Sequence, residues 1–254
     1  MKAKKHLGQH FLVNQAVIEK IIDLIKKECP QDLPVMEVGP GQGVLTYHLD
    51  DHFNKFTAVE FDRDMVKILI QKLDLNKIVN EDFLGLNLKS VYQDEFSLVG
   101  NFPYNISSQI IFKMIANREQ IPIMVGMFQK EVAERICSTP GGKKNGILSL
   151  NAQAYYTAEK IFDIGPDAFD PPPRVDSSII LLKRKENYEL PCDEKLYTRL
   201  LKLAFSQRRK MLRNTIKPML DDVSDPMFQK RPEQLSVEEF INIVRLIEDQ
   251  NKNK

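Results

Sequence analysis

The stretch Val35-Met36-Glu37-Val38, running into Gly39-Pro40-Gly41-Gln42-Gly43 and an apolar helix-like run to Leu49, constrains this chain more than any other. It reads as strand, turn and helix, and glycines in the turn let the backbone bend sharply and approach a ligand closely. The pattern recurs downstream. Phe56-Thr57-Ala58-Val59-Glu60 reads as a strand ending in a carboxylate, twenty-one residues after Gly39, where doubly wound folds put the acid that takes ribose hydroxyls. Lys77-Ile78-Val79-Asn80 reads as another, ending in Glu81-Asp82. Asp82 with Phe83 offers an adenine ring an amine contact and an apolar face. Three successive strand ends bearing glycines, a carboxylate and a carboxylate point to one ligand crevice.

Helix and strand patterns alternate through most of the chain. Val17, Ile18, Ile21, Ile22 and Ile25 fall at helical spacing and predict an amphipathic helix over 14–28. A helix is expected over Met65 to Leu75, a strand over Phe96 to Asn101, and a helix around Ile110 to Ile115 capped by Ser107 or Ser108. A strand at 123–128, a helix at 131–136 and closing strands at 161–164 and 178–182 follow. Such alternation argues for an α/β domain with a parallel sheet covered on both faces. Past Lys183-Arg184-Lys185 and a polar stretch to Glu194 the pattern becomes helical. The expected domains are 1–187, binding the ligand, and 188–254, helical.

Asn101-Phe102-Pro103-Tyr104 stands at the end of the Phe96 strand. It joins an amide, a backbone stiffened by proline and an aromatic ring, which are an acceptor for an exocyclic amine and a flat surface for a base. The Asn101 side-chain oxygen and the Phe102 carbonyl are the expected acceptors, with Tyr104 as the stacking surface. The glycine turn does not suit a nicotinamide dinucleotide, since Val44 stands where the third glycine of G-x-G-x-x-G is needed. Its Gly39-x-Gly41-x-Gly43 spacing resembles the S-adenosylmethionine loop of class I methyltransferases. Phe169-Asp170-Pro171-Pro172-Pro173-Arg174-Val175 forms a rigid extended connector. It fixes Phe169 either as a second aromatic wall for the base or as a core plug.

The net charge of +1 hides an asymmetry. Residues 31–100 carry twelve acids and six bases, whereas 195–217 carries eight bases, Arg208, Arg209, Lys210 and Arg213 among them, and no acid. An acid-free basic run argues for a phosphate-rich partner, and Lys2, Lys4 and Lys5 add to it. The loop Pro140-Gly141-Gly142-Lys143-Lys144 is either a further nucleic-acid contact or a mobile connection. No apolar run reaches membrane-span length, and the chain is expected to be cytoplasmic and monomeric. Three scattered cysteines suggest reduced thiols. No metal is expected, because His48 and His52 lack companions to complete a zinc site.

Leu7-Gly8-Gln9-His10-Phe11-Leu12, Glu37 to Gly43, Asn101 to Tyr104, Phe169 to Ser177 and Ala204-Phe205-Ser206-Gln207-Arg208-Arg209-Lys210 occur in one order across nearly the whole chain. In these stretches the chain resembles the KsgA/Dim1 family of small-subunit rRNA adenine dimethyltransferases. His10 stands where that family more usually has asparagine, and Phe102 where it has leucine or isoleucine. The resemblance implies a class I methyltransferase domain with a seven-stranded sheet and a small carboxy-terminal all-α domain. It implies methyl transfer from S-adenosylmethionine to N6 of two adjacent adenosines in a hairpin loop near the 3′ end of small-subunit rRNA. Donor contacts then map to His10, Leu12, Gly39, Glu60, Asp82 and Asn101, with Gly41 and Phe83 beside them. The rival functions are the large-subunit methyltransferase of the macrolide-resistance type and a non-catalytic assembly factor that keeps the fold.

Overall fold

The computed structural model describes residues 9–253, so Lys2, Lys4, Lys5, Leu7 and Gly8 lie outside the described residues. In chain order the elements are β1 (Phe11–Leu12), α1 (Gln15–Glu28), β2 (Val35–Val38), α2 (Thr46–His52), β3 (Phe56–Val59), α3 (Arg63–Leu69) and β4 (Ile78–Val79). There follow β5 (Ser97–Asn101), α4 (Ser107–Ala116), β6 (Ile123–Gln129), α5 (Lys130–Ile136), α6 (Ile147–Tyr155), β7 (Tyr156–Ile164), β8 (Phe169–Asp170) and β9 (Ser177–Arg184). The last helices are α7 (Glu194–Ser206), α8 (Arg213–Ile216) and α9 (Val237–Lys252).

One sheet has seven strands in the order β4-β3-β2-β5-β6-β9-β7. β4, β3, β2, β5 and β6 are mutually parallel, while β9 runs antiparallel to β6. The inner strands are mostly apolar because both faces are covered: every residue of β2 and β3 is buried, Glu37 and Thr57 included. α1 supplies part of the cover. Asn14 caps it by accepting from Val17 N–H, and Ile18, Ile21, Ile22 and Ile25 are buried in the core. Each buried isoleucine contributes about 1.5–3 kcal/mol.

From β2 the chain steps outward through β3 to β4, then returns to the other side of β2 with β5 and β6. The order reverses between β2 and β5, and in open parallel sheets a crevice opens at the strand carboxyl ends where it does so. Gly39 follows β2 there and Asn101 ends β5.

The chain forms two compact units: one runs to Ala133 and resumes over Ala158–Arg184, and the other comprises Glu134–Thr157 and the residues from Lys185 onward. Two expected elements differ. α3 stops at Leu69, where i to i−3 bonds from Gln71 and Lys72 tighten its end, and Asp74 then caps a separate 3-10 turn at Leu75–Lys77. Neither serine caps α4. Ile106 holds the cap position, and Ser107, inside the helix, turns its hydroxyl back to the Tyr104 carbonyl at 3.1 Å.

Candidate active site

At the switch point a cavity is lined by Gly39, Gly41, Glu60, Asp82, Asn101 and the 102–104 segment, with Gln9 to Leu12 along one side. The glycine turn and the tetrapeptide touch. Gly39 has φ +71°, and a Cβ there would stand 3.5 Å from Pro103 Cδ and 3.7 Å from the Asn101 carbonyl. Gly41, at φ +56°, lies against the Phe11 ring, 3.2 Å from where its Cβ would be. Both positions have left-handed backbone, which suits glycine, and at Gly41 the Phe11 ring also leaves little room for a Cβ.

Glu60 follows β3 and is nearly buried. Its Oε2 accepts the Gly41 N–H at 3.1 Å and its Oε1 the Asp62 N–H at 2.7 Å. Burial raises its pKa, and these backbone bonds pull the other way. Each carboxylate oxygen retains a lone pair for a hydroxyl donor. Asp62 accepts from Gln9 Nε2 at 2.9 Å and from Asp64 N–H at 3.0 Å, which ties the amino-terminal segment to the start of α3.

Asp82 sits in a tight turn, its Oδ1 accepting Leu84 N–H and its carbonyl the N–H groups of Gly85 and Leu86. Lys113, on α4, donates to the Leu84 carbonyl at 3.0 Å and the Leu86 carbonyl at 2.6 Å, and its ammonium lies 5.2 Å from the Phe83 ring centroid. Phe83 is thereby buried beneath the loop and does not line the cavity, contrary to its expected role beside a ligand's adenine. Phe61, 62% exposed, lines the cavity instead.

The tetrapeptide divides its groups between core and cavity. The Phe102 ring is buried edge-on to Phe128, with centroids 5.2 Å apart, and it passes over Gly126, where a Cβ would meet it at 2.1 Å. Its side chain thus anchors the backbone whose carbonyl is the expected acceptor. Asn101 Nδ2 donates to the His10 carbonyl at 3.2 Å, which leaves Oδ1 as the accepting atom of the amide. The Tyr104 hydroxyl meets Ser177 Oγ at 2.5 Å, and its ring stacks on His10 at 5.5 Å between centroids. His10 Nδ1 lies 2.8 Å from the Pro171 carbonyl, and a carbonyl only accepts, so the proton sits on Nδ1. Leu12, buried, lines the cavity. Phe169 does not: β8 pairs it with Leu12 and its ring is buried in the core among α1 and sheet residues. Of its two expected roles the structure supports the core plug.

Glu37 escaped the sequence reading. It lies within β2, buried among apolar neighbours, and alternation along so short a strand gives no sign that its carboxylate reaches the cavity. Its Oε2 makes no well-formed hydrogen bond, although the neighbouring Thr46 hydroxyl lies close enough to favour the carboxylate and oppose part of the effect of burial. Burial pushes the Glu37 pKa up to about 8, and the Glu60 carboxylate adds to the rise. A buried carboxyl in the cavity wall with its pKa raised in this way fits a cationic ligand group, which would favour its charged form. Binding of such a ligand is expected to release a proton and to tighten as pH rises toward about 8. Titration calorimetry at neutral pH in buffers of different ionisation enthalpy reads that proton; identical heats would remove Glu37 from contact with the charge. The empty protein follows the opposite trend. Folding raises this group's pKa from 4.5, so its favourable contribution is fully present below that value and is lost as pH climbs through about 8.

In the carboxy-terminal unit, Arg208, Arg209, Lys210 and Arg213 are all exposed. Arg208 is partly engaged, donating to the Lys143 carbonyl and lying 3.9 Å from Glu233. Arg209, Lys210 and Arg213 form no ion pair among the described residues. Lys144 pairs with Glu134, so the 140–144 loop is tied down at that point. No group of three or more potential metal ligands occurs among the described residues.

The sheet order, with a glycine turn, an acid and an Asn-Phe-Pro-Tyr segment at successive strand ends, defines a class I S-adenosylmethionine-dependent methyltransferase fold. A dimethyladenosine transferase from Plasmodium falciparum has a similar structure, with TM-score 0.80 and 26% identity over 95% of this chain and 98% of that one. The 23S rRNA methyltransferase ErmE is also similar, with TM-score 0.68 and 26% identity over 92% of this chain and 99% of that one. The sequence is 49% identical to the ribosomal RNA small subunit methyltransferase A of Flavobacterium johnsoniae, covering 98% of this chain and 97% of that protein. It is 46% identical to the protein of the same name from Parabacteroides distasonis, covering 96% and 93%. The chain belongs to the ribosomal RNA adenine dimethylase family, whose model matches residues 1–249.

Proposed function

We propose that this protein dimethylates N6 of adenosines in small-subunit rRNA with S-adenosylmethionine as methyl donor, acting in the cytoplasm, where small ribosomal subunits are found. The observation that carries the reading is Asn101, an amide whose nitrogen is engaged by the His10 carbonyl and whose oxygen remains to accept, at the end of β5 in the cavity that holds Glu37, Glu60 and Asp82. The adenosine pair in the 3′ hairpin comes from the motif resemblance described above. Curated relatives carrying the small-subunit name match over nearly their whole length, which favours that substrate over the large-subunit alternative.

Bound S-adenosylmethionine supplies an electrophilic methyl group on a positively charged sulfur. The chain's own residues fit it. Glu60 would accept ribose hydroxyls, Asp82 would take the adenine amine, Phe61 would cover the adenine ring, and Glu37 would face the positive charge. Adenine N6 is a poor nucleophile because its lone pair is delocalised into the ring. In the first transfer Asn101 Oδ1 and the Phe102 carbonyl accept the two amine hydrogens and draw the nitrogen toward tetrahedral geometry, which localises the pair. In the second, the one remaining hydrogen is accepted by one of them. Tyr104 stacks on the flipped base, a contact worth about 1–3 kcal/mol. That offsets the few kcal/mol of unstacking, which is smaller in a loop. Once methylated, the nitrogen loses its proton readily to solvent, so no strong base is needed.

Incubation with unmethylated small subunits and S-adenosylmethionine, followed by mapping of modified positions, tests this function. Dimethyladenosine in the small-subunit rRNA is expected; methylation confined to large-subunit rRNA, or donor binding without transfer, would overturn it. The exposed basic run is assigned to rRNA phosphates. Replacing Arg209 and Lys210 by Gln should weaken subunit binding and make the log–log salt slope shallower by roughly 0.7–0.9 per lost contact. Donor affinity should be unchanged, and an unaltered slope in a protein of normal melting temperature would sink the assignment. Arg208 is left intact there because its bond to the Lys143 carbonyl gives it a structural role.

A further inference from the structure

Tyr104 is held at two points by one segment of chain. Its hydroxyl meets Ser177 Oγ at 2.5 Å, and its ring stacks on His10, inclined by 26°, whose Nδ1–H is directed at the Pro171 carbonyl. Pro171 and Ser177 stand at the two ends of the proline-rich connector. The connector is itself fixed. Ser177, fully buried, opposes Gln129 in the antiparallel β6–β9 pair, and Lys130, the first residue of α5, donates its N–H to the Asp176 carbonyl at 2.9 Å. The Lys130 ammonium also bridges Asp176 at 3.4 Å and Asp163 at 2.9 Å.

A tyrosine at the edge of a cavity has two side-chain torsions to restrain, and a stacking surface works only if its plane is set relative to the acceptors that grip the same base. Here the hydroxyl end is pinned to a residue the sheet cannot move. His10 covers one face of the ring. We propose that Ser177 is a positioning residue for methyl transfer, fixing through its bond to the Tyr104 hydroxyl the plane on which the target adenine stacks. The segment from Pro171 to Ser177 is then a brace behind the stacking surface. This rests on the reading of Tyr104 as that surface, and it assigns the connector a task that does not depend on Phe169.

The test compares Ser177→Ala, Tyr104→Phe and the double variant by turnover on unmethylated small subunits, with S-adenosylmethionine affinity and melting temperature measured separately. Each single change removes the same neutral hydrogen bond, so kcat should fall about three- to tenfold in each. The double variant should be no slower than the slower single, since all three lack that one bond. Donor affinity should stay at the wild-type value. Losses that multiply in the double variant, or a parallel loss of donor affinity, would overturn the inference. If Ser177→Ala fails to fold, Tyr104→Phe decides alone: a reduced kcat supports the brace and a wild-type kcat overturns it. Failure of the wild-type protein to methylate small subunits strikes the proposed function, whereas normal wild-type turnover with multiplying losses strikes the brace alone.

Discussion

Asn101→Ala is expected to slow methyl transfer about a hundredfold or more, the scale on which removal of one preorganised polar group acts on a transition state. The rRNA phosphates are held elsewhere, so affinity for the small subunit should change little. Single-turnover rates at saturating donor measure the effect, and a rate near wild type would end the lone-pair mechanism. The amide also donates to the His10 carbonyl, so the alanine variant frees the amino-terminal segment along one side of the cavity. Asn101→Asp separates the two contributions, because it keeps an accepting oxygen while giving up the donor. Recovery of rate in that variant assigns the loss to acceptance from the amine; no recovery assigns it to the missing bond to His10.

Glu60→Gln should weaken S-adenosylmethionine binding by about ten- to a hundredfold, since hydrogen bonds to a charged group are worth about 1.5–3 kcal/mol. Two effects combine. A carboxamide offers one accepting oxygen where the carboxylate offered two, and its NH2 must then face either the Gly41 or the Asp62 N–H, donor against donor. The first of these contacts holds the glycine turn, so the damage extends to the loop that approaches the donor. Calorimetry showing unchanged affinity in a folded variant would take Glu60 out of the site.

The strand ends were legible because a buried parallel strand leaves an unbroken apolar run and its chemistry must sit just beyond it. Gly39, Glu60, Asp82 and Asn101 are all of this kind, and all line one cavity. What the sequence hid was direction. Phe83 and Phe169 lie beside polar, chemically suggestive neighbours, yet both rings turn inward, one under a lysine ammonium and the other into the core beneath β1 and β8. Glu37 was hidden for the converse reason, a carboxylate inside an apolar run whose exposure to the cavity depends on a neighbouring strand. Lys113 was equally silent, since a lone helix lysine reads as solvated until the carbonyls of Leu84 and Leu86 are brought to it. The grouping of 134–157 with the residues after 185 depends on contacts between distant parts of the chain, which local periodicity does not record.

Gly126 does not line the cavity, yet the Phe102 ring occupies the space its side chain would fill. Gly126 lies on β6, and Phe102 follows the end of β5 beside it, two residues beyond Gly100, the residue opposite Gly126. The two positions share one space. A bulkier residue at 126 becomes admissible when a smaller one stands at 102, and neither can drift alone without pushing the Asn101 to Tyr104 backbone toward the cavity. The latitude that evolution has at the middle of the Asn101 to Tyr104 segment is therefore set on the next strand.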